Sequence, residues 1–186
     1  MEWLMAYMAR GGFWRFFRRN RYERAGYGLY GAAVAAARNP LFYAELGVPD
    51  TLDGRFDLVG LHVWLLIRRL IALPAPGPDL AQAMFDAMFA DMDLNLREMG
   101  VGDLSVGKRV KDMWEALHGR AIAYGAALDS PDPAPAMEAA RARNVWRGAD
   151  AAGAARLAAI AIAQSAHLQT QQLAQMETGN VIFLAP

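Results

Sequence analysis

Apolar residues return every three to four positions along most of this chain, and no useful stretch alternates apolar with polar, so the pattern predicts helices and no sheet. Tyr27, Tyr30, Val34 and Ala37 fall on one face of a first helix that stops at Arg38. Asn39-Pro40 then opens a short helix, LFYAEL, closed by Gly47; proline suits a first turn, where its missing N–H would have no partner. In the loop GVPDTLDG, Asp50, Thr51 and Asp53 are alternative caps for a long helix over residues 55–73. Pro74, Pro76 and Pro78 break the pattern, Asp79 is placed to cap the next helix, and Gly100 is its left-handed stop. In that helix Met84, Met88 and Met92 recur with Phe85 and Phe89 at helical spacing, which most simply means core packing. After the turn GVGD, with Asp103 or Ser105 as cap, a helix over 105–128 turns Val106, Val110, Met113, Leu117 and Tyr124 inward. SPDPAP breaks again, Ala-rich helices follow over 136–147 and 154–176, and the tail NVIFLAP reads as extended. The expected class is all-α: a single irregular bundle of six or seven helices with an N-terminal amphipathic basic segment. Residues 1–21 form that segment, 22–129 the core, and 130–186 Ala-rich helices packing on it.

An apolar fraction of 55% over 186 residues is too high for disorder and enough for one well-buried domain. The absence of cysteine removes disulfides, thiolate zinc sites, iron–sulfur clusters and cysteine nucleophiles. The most apolar run, LVGLHVWLLIRRLIAL, is interrupted by Arg68 and Arg69 after about ten residues, half of what a membrane span requires, and is expected to be a buried helix.

Net charge is zero, yet the first 43 residues hold seven of the nineteen basic residues and two of the nineteen acids, so a head of +5 offsets a body of −5. Within the head, FWRFFRRNR places Phe13, Phe16 and Phe17 on one side of a helix and Arg15, Arg18 and Arg19 opposite, with Trp14 and Arg21 at the boundary. That is the composition of a helix lying at an anionic membrane surface, where each arginine contributes about 1 kcal/mol. It equally suits aromatics docked on the protein's own core with solvated arginines. Nucleic acid is not expected as a partner, since the basic patch is short and the remainder acidic. Glu2 and a short apolar run precede the arginines, inverting the order of a secretory signal, so export by a cleaved signal is not expected.

Motifs for chemistry mostly fail. GDLSVGKR offers Arg109 where a phosphate-binding loop needs Ser or Thr, and follows a helix instead of a strand. DMDLN starts like a calcium loop but has Leu96 at position six and Gly102 at position twelve. His62, His118 and His167 are scattered, with no Glu-x-x-His partner for the helical carboxylates, and His62 within GLHVWLL reads as a hydrogen-bonded core histidine. No nucleophile, base and orienter can be assembled, so neither an enzyme nor a cofactor or metal site is expected. There remain two segments dense in Gly, Asp and Arg, residues 47–57 and 95–103. There Arg55 and Arg97 each have acids in reach and can bind carboxylates by paired hydrogen bonds. Such pairs either fix loops or form a polar rim around an apolar groove that receives a partner helix. A second reading makes Met84, Phe85, Met88 and Phe89 the lining of a cavity for an apolar small molecule such as a quinone or lipid.

The runs RNPLFYAELGVPDTLDGRFDLVGLHVWLLIRRL and LAQAMFDAMFADMDLNLREMGVGDLSVGKRVKDMWEALHGRAIAYGAAL strongly resemble the ubiquinol–cytochrome c chaperone family, bacterial relatives of the mitochondrial assembly factor for cytochrome b of respiratory complex III. The resemblance covers residues 22–129, with FYAELGVPDT and DLNLREMGVGD its most unusual words. His118 stands where the family pattern suggests an aromatic, and residues 130–186 are read from composition alone. The resemblance implies a non-catalytic helical chaperone, cytoplasmic and peripheral on the cytoplasmic face of the inner membrane, that binds apo-cytochrome b, with or without a small second chaperone subunit. The family's motifs fall on Asp50, Thr51, Gly54, Arg55, Asp91, Asp93, Leu96, Arg97, Glu98, Gly100, Gly102 and Asp103. The expected partner-binding set is Asp50, Arg55, His62, Trp64, Asp91, Asp93, Arg97, Glu98 and Asp103.

Overall fold

A computed structural model describes residues 21–146 and 152–186. Among the described residues the elements are helical: α1 (Glu23–Ala37), α2 (Pro40–Ala44), α3 (Leu52–Ile71), α4 (Gly77–Glu98), α5 (Asp103–Leu128), α6 (Pro133–Asn144), α7 (Ala154–Thr170) and α8 (Leu173–Glu177). Six exceed three turns, α2 is the short helix expected after Asn39-Pro40, and α8 is a single turn split from the last expected helix, which accounts for the excess over seven.

α3 is the axis of the fold. Its stretch from Leu61 to Ile67 is buried on every side, as a helix apolar all round must be, and α1, α4, α5 and α7 pack around it. Thr51 is the cap that forms: its hydroxyl oxygen accepts from the Gly54 N–H at 3.2 Å, while Asp50 turns to Arg55. The methionine and phenylalanine stripe of α4 is closed into the core, with Met84, Phe85, Met88 and Phe89 all buried. Between α3 and α5 the buried carboxylate of Asp57 meets Arg120 at 2.6 Å.

Several local expectations need correction. α1 buries Gly26, Leu29, Tyr30, Ala33 and Ala37 and leaves Tyr27 exposed, because it approaches α4 so closely that a Cβ on Gly26 would lie 2.5 Å from the Ala83 carbonyl carbon. Asp79 does not cap α4, which starts two residues earlier with Pro78 in its first turn. Neither Asp103 nor Ser105 caps α5, whose N-cap is Gly102. α6 begins at Pro133, since Pro133 sits where proline is compatible with a helix start. The last predicted helix is interrupted where Gln171 and Gln172 adopt extended backbone, giving α7 and α8. Gly100, at φ 81°, is the left-handed stop after α4, as the pattern requires.

The tail after α8 is extended and lies back on α7. The Gln164 side-chain amide donates to the Leu184 carbonyl at 2.7 Å and accepts from its N–H at 2.9 Å. Gln171 repeats this doubled pairing with Ile182 at 2.6 and 2.9 Å. Between them Phe183 turns inward, edge-on to His62 at 5.4 Å between ring centroids.

Candidate partner-binding groove

The ends of α1, α3 and α4, with α2 and the loop before α3, enclose an open groove of about 850 Å³. Val34, Phe56, Val59, Met92, Leu96 and Met113 give it an apolar lining. Leu52 and Met99, 57% and 53% exposed, stand at its margin, and a smaller depression bordered by Lys108 and Arg109 shares Leu52, Phe56, Leu96 and Met113 with it. Apolar side chains left this open invite a partner, and the three methionines can adapt to an irregular surface.

Polar groups are few and placed. The Tyr30 hydroxyl donates to Asp91 Oδ2 at 2.6 Å, tying α1 to α4 across the groove floor; burial first, then this carboxylate, raises the Tyr30 pKa and keeps the phenol protonated. Arg55 Nε donates to Asp50 Oδ1 at 2.6 Å, which holds the Asp50 carboxyl below its ordinary range. At the α4–α5 turn Arg97 donates to Asp93 at 2.6 Å and also to Asp103, locking the turn that Gly100 makes. These exposed pairs contribute little stability and serve chiefly to set loop shape.

Of the expected set, Asp50, Arg55 and Asp91 line the groove, while Asp93, Arg97 and Glu98, in the last turns of α4, and Asp103, at the start of α5, sit beside it. His62 and Trp64 do not join them. His62 is 1% exposed, its Nδ1–H donates to the Leu58 carbonyl at 2.8 Å, and Phe42 and Phe183 cover its ring; Trp64 packs edge-on to Tyr124. Both are core residues of α3, the position a continuous apolar run dictates. Beneath them Arg141 is 0% exposed, its guanidinium 3.7 Å from the Tyr124 ring centroid; burial lowers its pKa to about 10, so it stays charged. Phe13, Trp14, Arg15, Phe16, Phe17, Arg18 and Arg19 lie outside the described residues; Arg21 is exposed, beside the Tyr22 ring.

The groove residues that the sequence did not disclose are Tyr30, Tyr43, Val59 and Met113. Tyr30 and Asp91 are 61 positions apart, and no local spacing announces such a pair. His118 stacks on Trp114 at 5.0 Å, so the imidazole completes an aromatic pair on α5.

Fold and groove together define a helical protein with an open apolar groove bordered by charged residues. The chain belongs to the ubiquinol-cytochrome C chaperone family, whose sequence pattern matches residues 44–183 and so runs through the C-terminal helices as well as the core. It is 31% identical over 109 residues to the mitochondrial protein CBP3 of Saccharomyces cerevisiae, covering 57% of this chain and 31% of that one. It is 22% identical over 104 residues to ubiquinol-cytochrome-c reductase complex assembly factor 1 of Xenopus laevis, covering 56% and 52%. The chain therefore spans about a third to a half of these relatives. The crystal structure of the Cbp3 homolog from Brucella abortus superposes with a TM-score of 0.79 at 32% identity, covering 97% of this chain and 96% of that one.

Proposed function

We propose that this protein is a non-catalytic assembly chaperone for ubiquinol–cytochrome c reductase, holding apo-cytochrome b at the membrane surface until its haems and neighbouring subunits are added. The observation that carries this reading is the groove. The family's unusual words FYAELGVPDT and DLNLREMGVGD, distant in sequence, supply Tyr43, Asp50, Asn95, Leu96 and Met99 to one apolar surface. A membrane protein without its haems exposes apolar helices with polar groups among them, and a preformed apolar surface with sparse carboxylates and guanidinium groups suits both. Family membership and the names of the mitochondrial relatives support the same assignment.

The reading is tested by deleting the gene from a host that respires through this complex and restoring it in two forms. The unaltered gene should recover the haem b absorbance of the membranes. A Leu52→Glu, Met99→Glu form, changed only at exposed groove positions, should accumulate normally yet fail to recover it. Normal haem b in the deletion strain, or full recovery with the double variant, would overturn the reading.

A further inference from the structure

We propose that the occupant of the groove is the basic-flanked end of a membrane-spanning helix: its last apolar turns seat in the groove and its Lys or Arg flank pairs with the acidic end of α4. This rests on the groove being the chaperone's docking surface and specifies what that surface selects.

Size decides which part of a helix can enter. A helix about 10 Å across fills roughly 400 Å³ per turn, so a space of about 850 Å³ receives about two turns. A span needs about 20 residues, or five to six turns. Only an end fits.

Charge decides which kind of end. From Asp91 to Asp103 there are four carboxylates, Asp91, Asp93, Glu98 and Asp103, and one cation, Arg97, which Asp93 and Asp103 already share. Asp91 accepts from the Tyr30 hydroxyl and, among the described residues, forms no ion pair; Glu98 is exposed and likewise forms none. Arg55 is neutralised by Asp50, and the remaining groove cation, Arg38, stands at the end of α1. At the adjoining depression Lys108 and Arg109 are balanced in number by Asp53 and Asp112, so Asp91 and Glu98 leave the α4 margin negative while the α1 margin is positive, and an incoming helix is oriented with its cations toward α4. Lysine and arginine concentrate at the cytoplasmic ends of membrane spans, so the chemistry that fits this margin is the chemistry of those ends.

The experiment uses the full chain and three labelled synthetic helical peptides in mild detergent, each with the same Leu/Ala/Val body of about three turns and a flank of Lys-Arg-Lys, Gln-Gln-Gln or Glu-Glu-Glu. Fluorescence anisotropy should show the basic peptide binding at least about tenfold tighter than the neutral one, with the acidic peptide weakest and the preference shrinking as salt rises. Asp91→Asn with Glu98→Gln should bring the basic and neutral peptides close together, and Glu98→Lys should favour the acidic one. Leu52→Glu with Met99→Glu should abolish binding of all three. Equal binding of the three peptides that the Leu52/Met99 change still abolishes would overturn the charge selection while leaving the groove as the docking surface. Binding untouched by that change would remove the groove itself.

Discussion

His62 makes a pH dependence that the rest of the molecule does not need for folding at neutrality. Enclosed by Phe42 and Phe183, its imidazole is pushed down from 6.5 to about 4 by burial, against the opposing effect of its bond to Leu58, with the Arg141 charge adding a still smaller lowering. The unfolded chain takes up a proton below about pH 6.5 and the folded chain does not until about pH 4, so stability is complete above 6.5 and is lost across that window as pH falls. The full shift corresponds to about 3 kcal/mol. Denaturant unfolding at pH 7.5 and at pH 4.5 should therefore show a drop of about that size, and His62→Phe should flatten it. A His62 imidazole resonance that titrates near 6.5 in the folded protein would contradict the burial. Arg141, the other buried cation nearby, keeps its charge by resting on the Tyr124 face and so adds no pH dependence in this range.

Among the elements, the tail is held by an unusual device. A helix ordinarily offers no backbone hydrogen bonds to a strand, because its own ladder uses them. α7 instead extends Gln164 and, from the residue just beyond its end, Gln171. Each primary amide is a donor beside an acceptor and so imitates a strand's pairing with Leu184 and Ile182. Hydrogen exchange should accordingly be slow at the Leu184 and Ile182 amides and fast at Phe183 and Ala185 between and after them. Gln164→Leu with Gln171→Leu should release the protected pair, while loss of protection throughout α3 would mean that the tail is required for the core. This also shows where sequence reading succeeds and stops. Periodicity and prolines locate the long helices, the Gly100 stop and the Met–Phe stripe as core, because each is decided within a few residues, and they narrow the α3 cap to Asp50, Thr51 or Asp53, of which Thr51 forms it. The face of α1 was misread because Gly26 and Ala33 are buried for their smallness against α4, a demand set by a distant helix. The groove was half legible: Arg55 with Asp50 and Arg97 with Asp93 are local, whereas Tyr30 with Asp91, and Met113 against Leu52, exist only after packing.

For the molecule as a whole the divided charge matters more than the zero total. A body carrying −5 is repelled by an anionic bilayer, so attachment to such a surface must come from the head, where Phe13, Trp14, Phe16 and Phe17 alternate with Arg15, Arg18, Arg19 and Arg21. None of the helices among the described residues is long and apolar enough to cross a membrane. The proposed arrangement has the head on the lipid and the acidic body held away from it, which keeps the α4 margin free for a basic-flanked helix end. Four arginines at about 1 kcal/mol each give about 4 kcal/mol, so changing all four to Gln should weaken binding to phosphatidylglycerol-rich vesicles by two to three orders of magnitude, roughly, while the aromatics keep a weak residual affinity. Co-sedimentation at low and high salt measures this directly, and raised salt should mimic the substitution. Vesicle binding that ignores both salt and the four changes would assign attachment to another surface, and the head would then be explained by its aromatics packing on the protein's own core.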